Sequence, residues 1–131
     1  MQGLRILLVE DDGMISMLLS MMLEEMGFEV CATASTEGDA IREAERTSPD
    51  LIVTDMNLAQ GTGGSAIAAI CHVRPTPHVF ISADAAAVKA SKPDAIVLEK
   101  PFQYADLERA IGRAMLAALR SGGSTRAVAK G

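Results

Sequence analysis

Tryptophan is absent from the 131 residues, tyrosine occurs once and phenylalanine three times. So thin an aromatic supply weakens the case for a site built by stacking flat rings, such as a flavin pocket. Basic residues are outnumbered, 12 Lys and Arg against 17 Asp and Glu, and the net charge is -5. Nucleic-acid binding rests on Lys and Arg that neutralise phosphates, so this balance argues against it and against an attached basic DNA-binding module. Only two cysteines occur, Cys31 and Cys71. Neither shows the paired Cys or His spacing of a zinc site or a disulfide framework, and both read as buried thiols in a reducing cytoplasm. Long apolar runs are missing as well. The first run, Leu4 to Val9, meets Glu10, Asp11 and Asp12 too early for a signal peptide or a membrane span, so the chain is expected to be soluble and cytoplasmic. The length suits one compact domain, and no second output domain is expected within it. We expect that domain over residues 1–120 and a flexible, glycine-containing tail over residues 121–131.

What is present alternates. Leu4 to Val9 is a continuous apolar run with an acidic stop, the pattern of a strand buried on both faces of a parallel sheet. Asp12 then caps a helix in which Ile15, Leu18, Leu19, Met22, Leu23 and Met26 recur at helical spacing before Gly27. Phe28 to Thr33 reads as a second strand. Thr36 with Asp39 opens a second helix that stops near Pro49. Leu51 to Thr54 is a third strand, and after the glycines at 61, 63 and 64 a helix runs through Ile67 and Ile70. Val79 to Ser82 gives the fourth strand, Asp84 to Ser91 a short fourth helix, and Ala95 to Leu98 the fifth strand. A last helix from about Tyr104 to Leu119 is expected to bury Leu107, Ala110, Ile111, Met115 and Leu119 or near neighbours. Five strand and helix pairs in strict alternation predict an α/β fold, a doubly wound parallel sheet of flavodoxin-like order 2-1-3-4-5. In such a sheet the working site lies beyond the carboxyl ends of the strands, where the strand order reverses.

Four strand ends carry polar groups: Glu10 and Asp11, Asp55, Ser82 and Lys100. Carboxylates crowded into a crevice either raise a pKa or gather a cation, and an oxygen-only donor set favours Mg2+. Glu10, Asp11, Asp55 and the backbone carbonyl of Asn57 are the expected metal-binding set. An ionised Asp is a feasible nucleophile toward phosphorus, and Asp55 is the candidate. Charge on the peripheral oxygens of a transferring phosphoryl group calls for positive charge and donors, which Lys100 and Ser82 supply.

The VED run at Val9 to Asp11, TDMN around Asp55, Ser82 in VFISAD and KPF at Lys100 together resemble the signature of response-regulator receiver domains, over about Leu4 to Leu119. The resemblance implies a stand-alone phosphoacceptor that is not an enzyme in its own right. Asp55 would be the phosphorylated residue, Asp11 a direct Mg2+ ligand with Glu10 beside it, and Ser82 and Lys100 the phosphoryl contacts. It also implies a cis Lys100–Pro101 peptide, a histidine kinase or histidine phosphotransfer protein as donor, and an unknown downstream protein as target. Self-association through the fourth and fifth helices stays open as a weak homodimer. Neither nucleic acid nor membrane is expected as a partner.

Several residues carry a plainer reading. Asp12 is best taken as a helix cap, His72 and His78 as structural, and the glycines from 61 to 64 as a mobile loop, since they fit neither the dinucleotide nor the P-loop pattern. Met14, Met17 and Met21 fall off the core stripe of the first helix, and that face is a candidate docking surface, as in receiver domains that meet their kinases through this helix. Three residues before Lys100, where the family often has a switching aromatic, stands Val97. Without that aromatic, a signal is expected to rely on Ser82 and its loop moving toward the phosphoryl group. Asp84, two residues beyond Ser82, is expected to border the route of an attacking water, as Asn57 does beyond Asp55. Two other classes remain: a pseudo-receiver that only binds, and an Asp-nucleophile phosphatase, whose D-x-D pattern the run Glu10, Asp11, Asp12 does not meet.

Overall fold

A computed structural model describes residues 3–120, so the expected tail at 121–131 lies outside the described residues. Among the described residues five strands, β1 (Arg5–Val9), β2 (Glu29–Ala34), β3 (Leu51–Asp55), β4 (His78–Ser82) and β5 (Val97–Glu99), alternate with five helices. The helices are α1 (Gly13–Glu25), α2 (Glu37–Thr47), α3 (Gly63–Val73), α4 (Ala85–Ser91) and α5 (Tyr104–Ala118). Every strand pair is parallel, in the order β2-β1-β3-β4-β5, as the alternation predicted.

The apolar runs are continuous because the central strands are covered on both faces. Side chains alternate across the pleat and so divide between two cores. Ile6, Leu8, Val53, Val79 and Ile81 pack under Leu19 and Leu23 of α1 and Leu107, Ala110 and Ile111 of α5. Leu7, Val9, Ile52 and Phe80 face Ala40 and Ala44 of α2, Ile67 and Ile70 of α3 and Val88 of α4. Among the described residues no helix is long and apolar enough to cross a membrane.

Several expectations need correction. In α1 the buried stripe is narrower than the sequence suggested: Leu19 and Leu23 are buried, whereas Ile15 and Leu18 are exposed. Leu18 lies one residue, about 100° of helical turn, from Leu19 and therefore points away from the sheet. Leu119 is exposed, and Ala114 takes its place in the α5 stripe. Both cysteines are half-buried, with Cys31 Sγ donating to the Ile6 carbonyl and Cys71 Sγ to that of Thr76. β5 starts at Val97 because a turn from Ala95 N–H to the Lys92 carbonyl precedes it. Gly63 and Gly64 are buried in the first turn of α3, so half of the expected mobile loop is helix.

The corrected stripe yields a measurable contrast. Leu19→Ala should lower unfolding stability by about 2–5 kcal/mol, since it empties core space, while Leu18→Ala should stay within about 0.5 kcal/mol. Urea titration of the two variants decides it, and equal losses would contradict the assigned faces.

Candidate functional site

The strand order turns back at β1 and β3, and there the sequence-singled residues meet. Glu10 and Asp11 follow β1, Asp55 ends β3, Ser82 ends β4, and Lys100 follows β5. Carboxylate oxygens of Glu10, Asp11 and Asp55 lie within 4.8 Å of one another. Glu10, Asp55 and Ser82 are buried, and Asp11 is exposed at the mouth.

Each Asp55 oxygen has a donor. Lys100 Nζ donates to Oδ2 at 2.8 Å and the Asn57 N–H to Oδ1 at 3.2 Å. This carboxylate raises the Lys100 pKa, chiefly by accepting that bond. The Lys100 N–H in turn donates to the Ser82 carbonyl at 2.9 Å, which fixes the end of β5 against β4. The Lys100–Pro101 peptide is cis, as the resemblance implied.

Glu10 is less well served. Its Oε2 accepts the Asp12 N–H at 3.1 Å, but its buried Oε1 has no hydrogen-bond partner among the described residues. Burial, with the Asp55 charge and its acidic neighbours adding to it, pushes the Glu10 carboxyl up to about 7. A buried oxygen lacking a donor, facing two further carboxylates, fits an oxygen-liganded divalent cation such as Mg2+.

Around this core the polar residues divide their tasks. Asp12 caps α1 as expected, its Oδ1 accepting from Met14 and Ile15 N–H. Asp84 caps α4, with Oδ1 accepting the Ala87 N–H, while Ser82 Oγ accepts the Asp84 N–H at 3.0 Å. His78 is half-buried and structural, its Nδ1 at 2.9 Å from the Thr76 carbonyl and its ring edge-on to Phe80, and burial lowers its pKa. His72 is exposed on α3. Two positions that sequence reasoning passed over hold the backbone of Asp55. Thr54 Oγ1 donates to the Asp55 carbonyl, and Gly63 packs so tightly there that a Cβ would overlap the same oxygen. Thr54 had looked like an ordinary strand residue, and the spacing of Gly63 from Asp55 gave no local pattern to read.

Without metal, the folded protein holds the Glu10 proton more tightly than the unfolded chain does. The stability this contributes is complete below pH 4.5 and is lost as the pH climbs through about 7. Unfolding titrations in a chelator should show wild-type stability declining across that window. Glu10→Gln, which keeps the shape and does not ionise, should flatten the decline; an unaltered pH profile would refute the assignment.

A sequence profile of the response regulator receiver domain matches residues 6–112. The phyllosphere-induced regulator PhyR of Methylorubrum extorquens is 32% identical over 84% of this chain and 43% of its own length. The chemotaxis protein CheY of Thermotoga maritima is 26% identical over 85% of this chain and 97% of its own. The crystal structure of the response regulator PhyR from Brucella abortus superposes with a TM-score of 0.84 at 26% identity, covering 94% of this chain and 52% of that one. The chain thus spans about half or less of the length of several relatives that it matches. Since the profile extends from β1 into α5 and takes in every strand end that carries the polar cluster, the chain belongs to the response regulator receiver domain family of two-component signalling.

Proposed function

We propose that Asp55 is a phosphoacceptor that takes its phosphoryl group from a phosphohistidine on a kinase or phosphotransfer protein. The observation that carries this reading is the buried Asp55 carboxylate bonded to Lys100 beside the unpartnered oxygen of Glu10. An Asp55 oxygen attacks phosphorus, the P–N bond to the donor imidazole breaks, and the imidazole leaves with its electron pair. Lys100 stays close to the negative charge that collects on the phosphoryl oxygens, and the Asn57 N–H holds the carboxylate in orientation. Ser82 Oγ, now accepting from Asp84 N–H, turns its own hydrogen toward a phosphoryl oxygen. Glu10, Asp11, Asp55 and the Asn57 carbonyl would hold Mg2+, which when bound supplies positive charge to the transferring group. Hydrolysis of the acyl phosphate then returns Asp55 to a carboxylate. One oxygen of Asp84 is committed to capping α4, so any part it takes in orienting water falls to the other.

The downstream target and the donor are proteins in this reading, and α1 offers the surface for the donor. Met14, Met17, Leu18 and Met21 are all more than half exposed. Their spacing of three, four and seven residues from Met14 is the one with which a helix packs against another helix. Leu18, placed in the core by the sequence reading, joins the methionines on this face.

Incubation with Mg2+ and phosphoramidate should give an acid-stable, hydroxylamine-labile adduct on the wild type. Asp55→Asn, or a chelator, should abolish it; an adduct that survives Asp55→Asn would sink the phosphoacceptor reading. Met17→Glu should leave that small-molecule reaction unchanged. It should slow transfer from a histidine phosphotransfer protein that phosphorylates the wild type by about ten-fold or more; equal slowing with both donors would remove α1 as the docking face.

A further inference from the structure

The loop that carries Asn57 is fastened from outside the site. It runs from Asp55 to the start of α3 and is pinned at its far end, where the Gly63 N–H donates to the Met56 carbonyl at 2.8 Å and Asn57 pairs with Thr62 in an antiparallel bridge. Its middle is held by the segment leading into α2. Ala59 N–H donates to the Ser35 carbonyl at 3.3 Å, and Glu37 N–H to the Gln60 carbonyl at 2.9 Å. Glu37 Oε1 accepts the Thr62 N–H at 3.1 Å. Gly61 lies directly on the Glu37 side chain, at φ 80°, and a Cβ there would overlap both Oε1 and Cβ of Glu37. An acid in the first turn of a helix is ordinarily explained by the helix dipole. Here the carboxylate spends one oxygen on another loop, so the dipole is an incomplete account.

We propose that Glu37 is a positioning residue for the metal-binding loop: by gripping Thr62 and Gly61 it holds the Asn57 backbone in place beside Asp55. The chain of contact is short. Glu37 fixes Thr62, Thr62 pairs with Asn57, and the Asn57 N–H bonds Asp55 Oδ1. α2 thereby gains a hold on the site without contributing a group to it. This inference rests on the functional reading above, because only that reading gives the Asn57 carbonyl a cation to bind.

The test uses the full chain and MgCl2 in calorimetric titration, with amide exchange measured on the metal-free protein. Glu37→Ala should bind Mg2+ about ten-fold more weakly, the scale on which residues that orient metal ligands act, and should exchange the Thr62 and Gly63 amides faster. Glu37→Gln keeps an acceptor oxygen and should remain within about two-fold of the wild type in affinity. Gly61→Ala, which puts a methyl group into the Glu37 contact, should weaken Mg2+ binding as Glu37→Ala does. Equal weakening in Glu37→Ala and Glu37→Gln would overturn the proposal, since long-range charge would then be the cause. So would faster exchange in Glu37→Ala with unchanged affinity. A wild type that binds no Mg2+ would defeat the functional reading together with this one; a wild type that binds, alongside a Glu37→Ala that binds equally well, would defeat this one alone.

Discussion

Buried negative charge at the carboxyl edge of the sheet is the constraint around which the rest is arranged. Glu10 and Asp55 are both nearly inaccessible, with Asp11 beside them at the surface. Removing carboxylates from water is costly unless charge or donors compensate. The protein compensates Asp55 fully, with Lys100 and the Asn57 N–H, and Glu10 only by half. That asymmetry leaves one buried carboxyl oxygen without a donor among the described residues. It also sets the Lys100 ammonium directly against the Asp55 carboxylate.

The surrounding architecture keeps this uncomfortable arrangement in register. Two cores of interleaved aliphatic side chains clamp β1, β3 and β4 from both sides, so their ends cannot shift relative to one another without opening close-packed space. The loops then add local restraints on Asp55 itself: Thr54 and Gly63 on its carbonyl, Asn57 on its side chain. Charge is thus held in place by apolar packing at a distance and by hydrogen bonds nearby.

Most of this was legible in the sequence, for identifiable reasons. Continuous apolar runs ended by carboxylates gave β1 and β3, and strict alternation with helices gave the strand order, because parallel crossovers permit few alternatives. Glu10, Asp11, Asp55, Ser82 and Lys100 could be singled out together because strand ends converge in such a sheet. What stayed hidden depends on three-dimensional neighbours. Ile15 and Leu18 fit an apolar stripe equally well whether a helix is wide-faced or narrow-faced, and only the footprint of the sheet decides. Glu37 looked like any acid at a helix start, since its partner at Thr62 is 25 residues away. Cys31 and Cys71 were placed too deep because residue type predicts burial only on average.

The brevity of α4 has a further consequence. Its seven residues bury a single side chain, Val88, and its opening turn hangs from three oxygens, those of Ser82, Asp84 and Glu99. A unit with so little apolar anchorage lies at the low end of the free energies at which parts of a native protein open while the remainder stays folded. One of its three tethers, Ser82, belongs to the polar cluster at the strand ends. A displacement of Ser82 would therefore meet less resistance in this two-turn segment than in the close-packed cores.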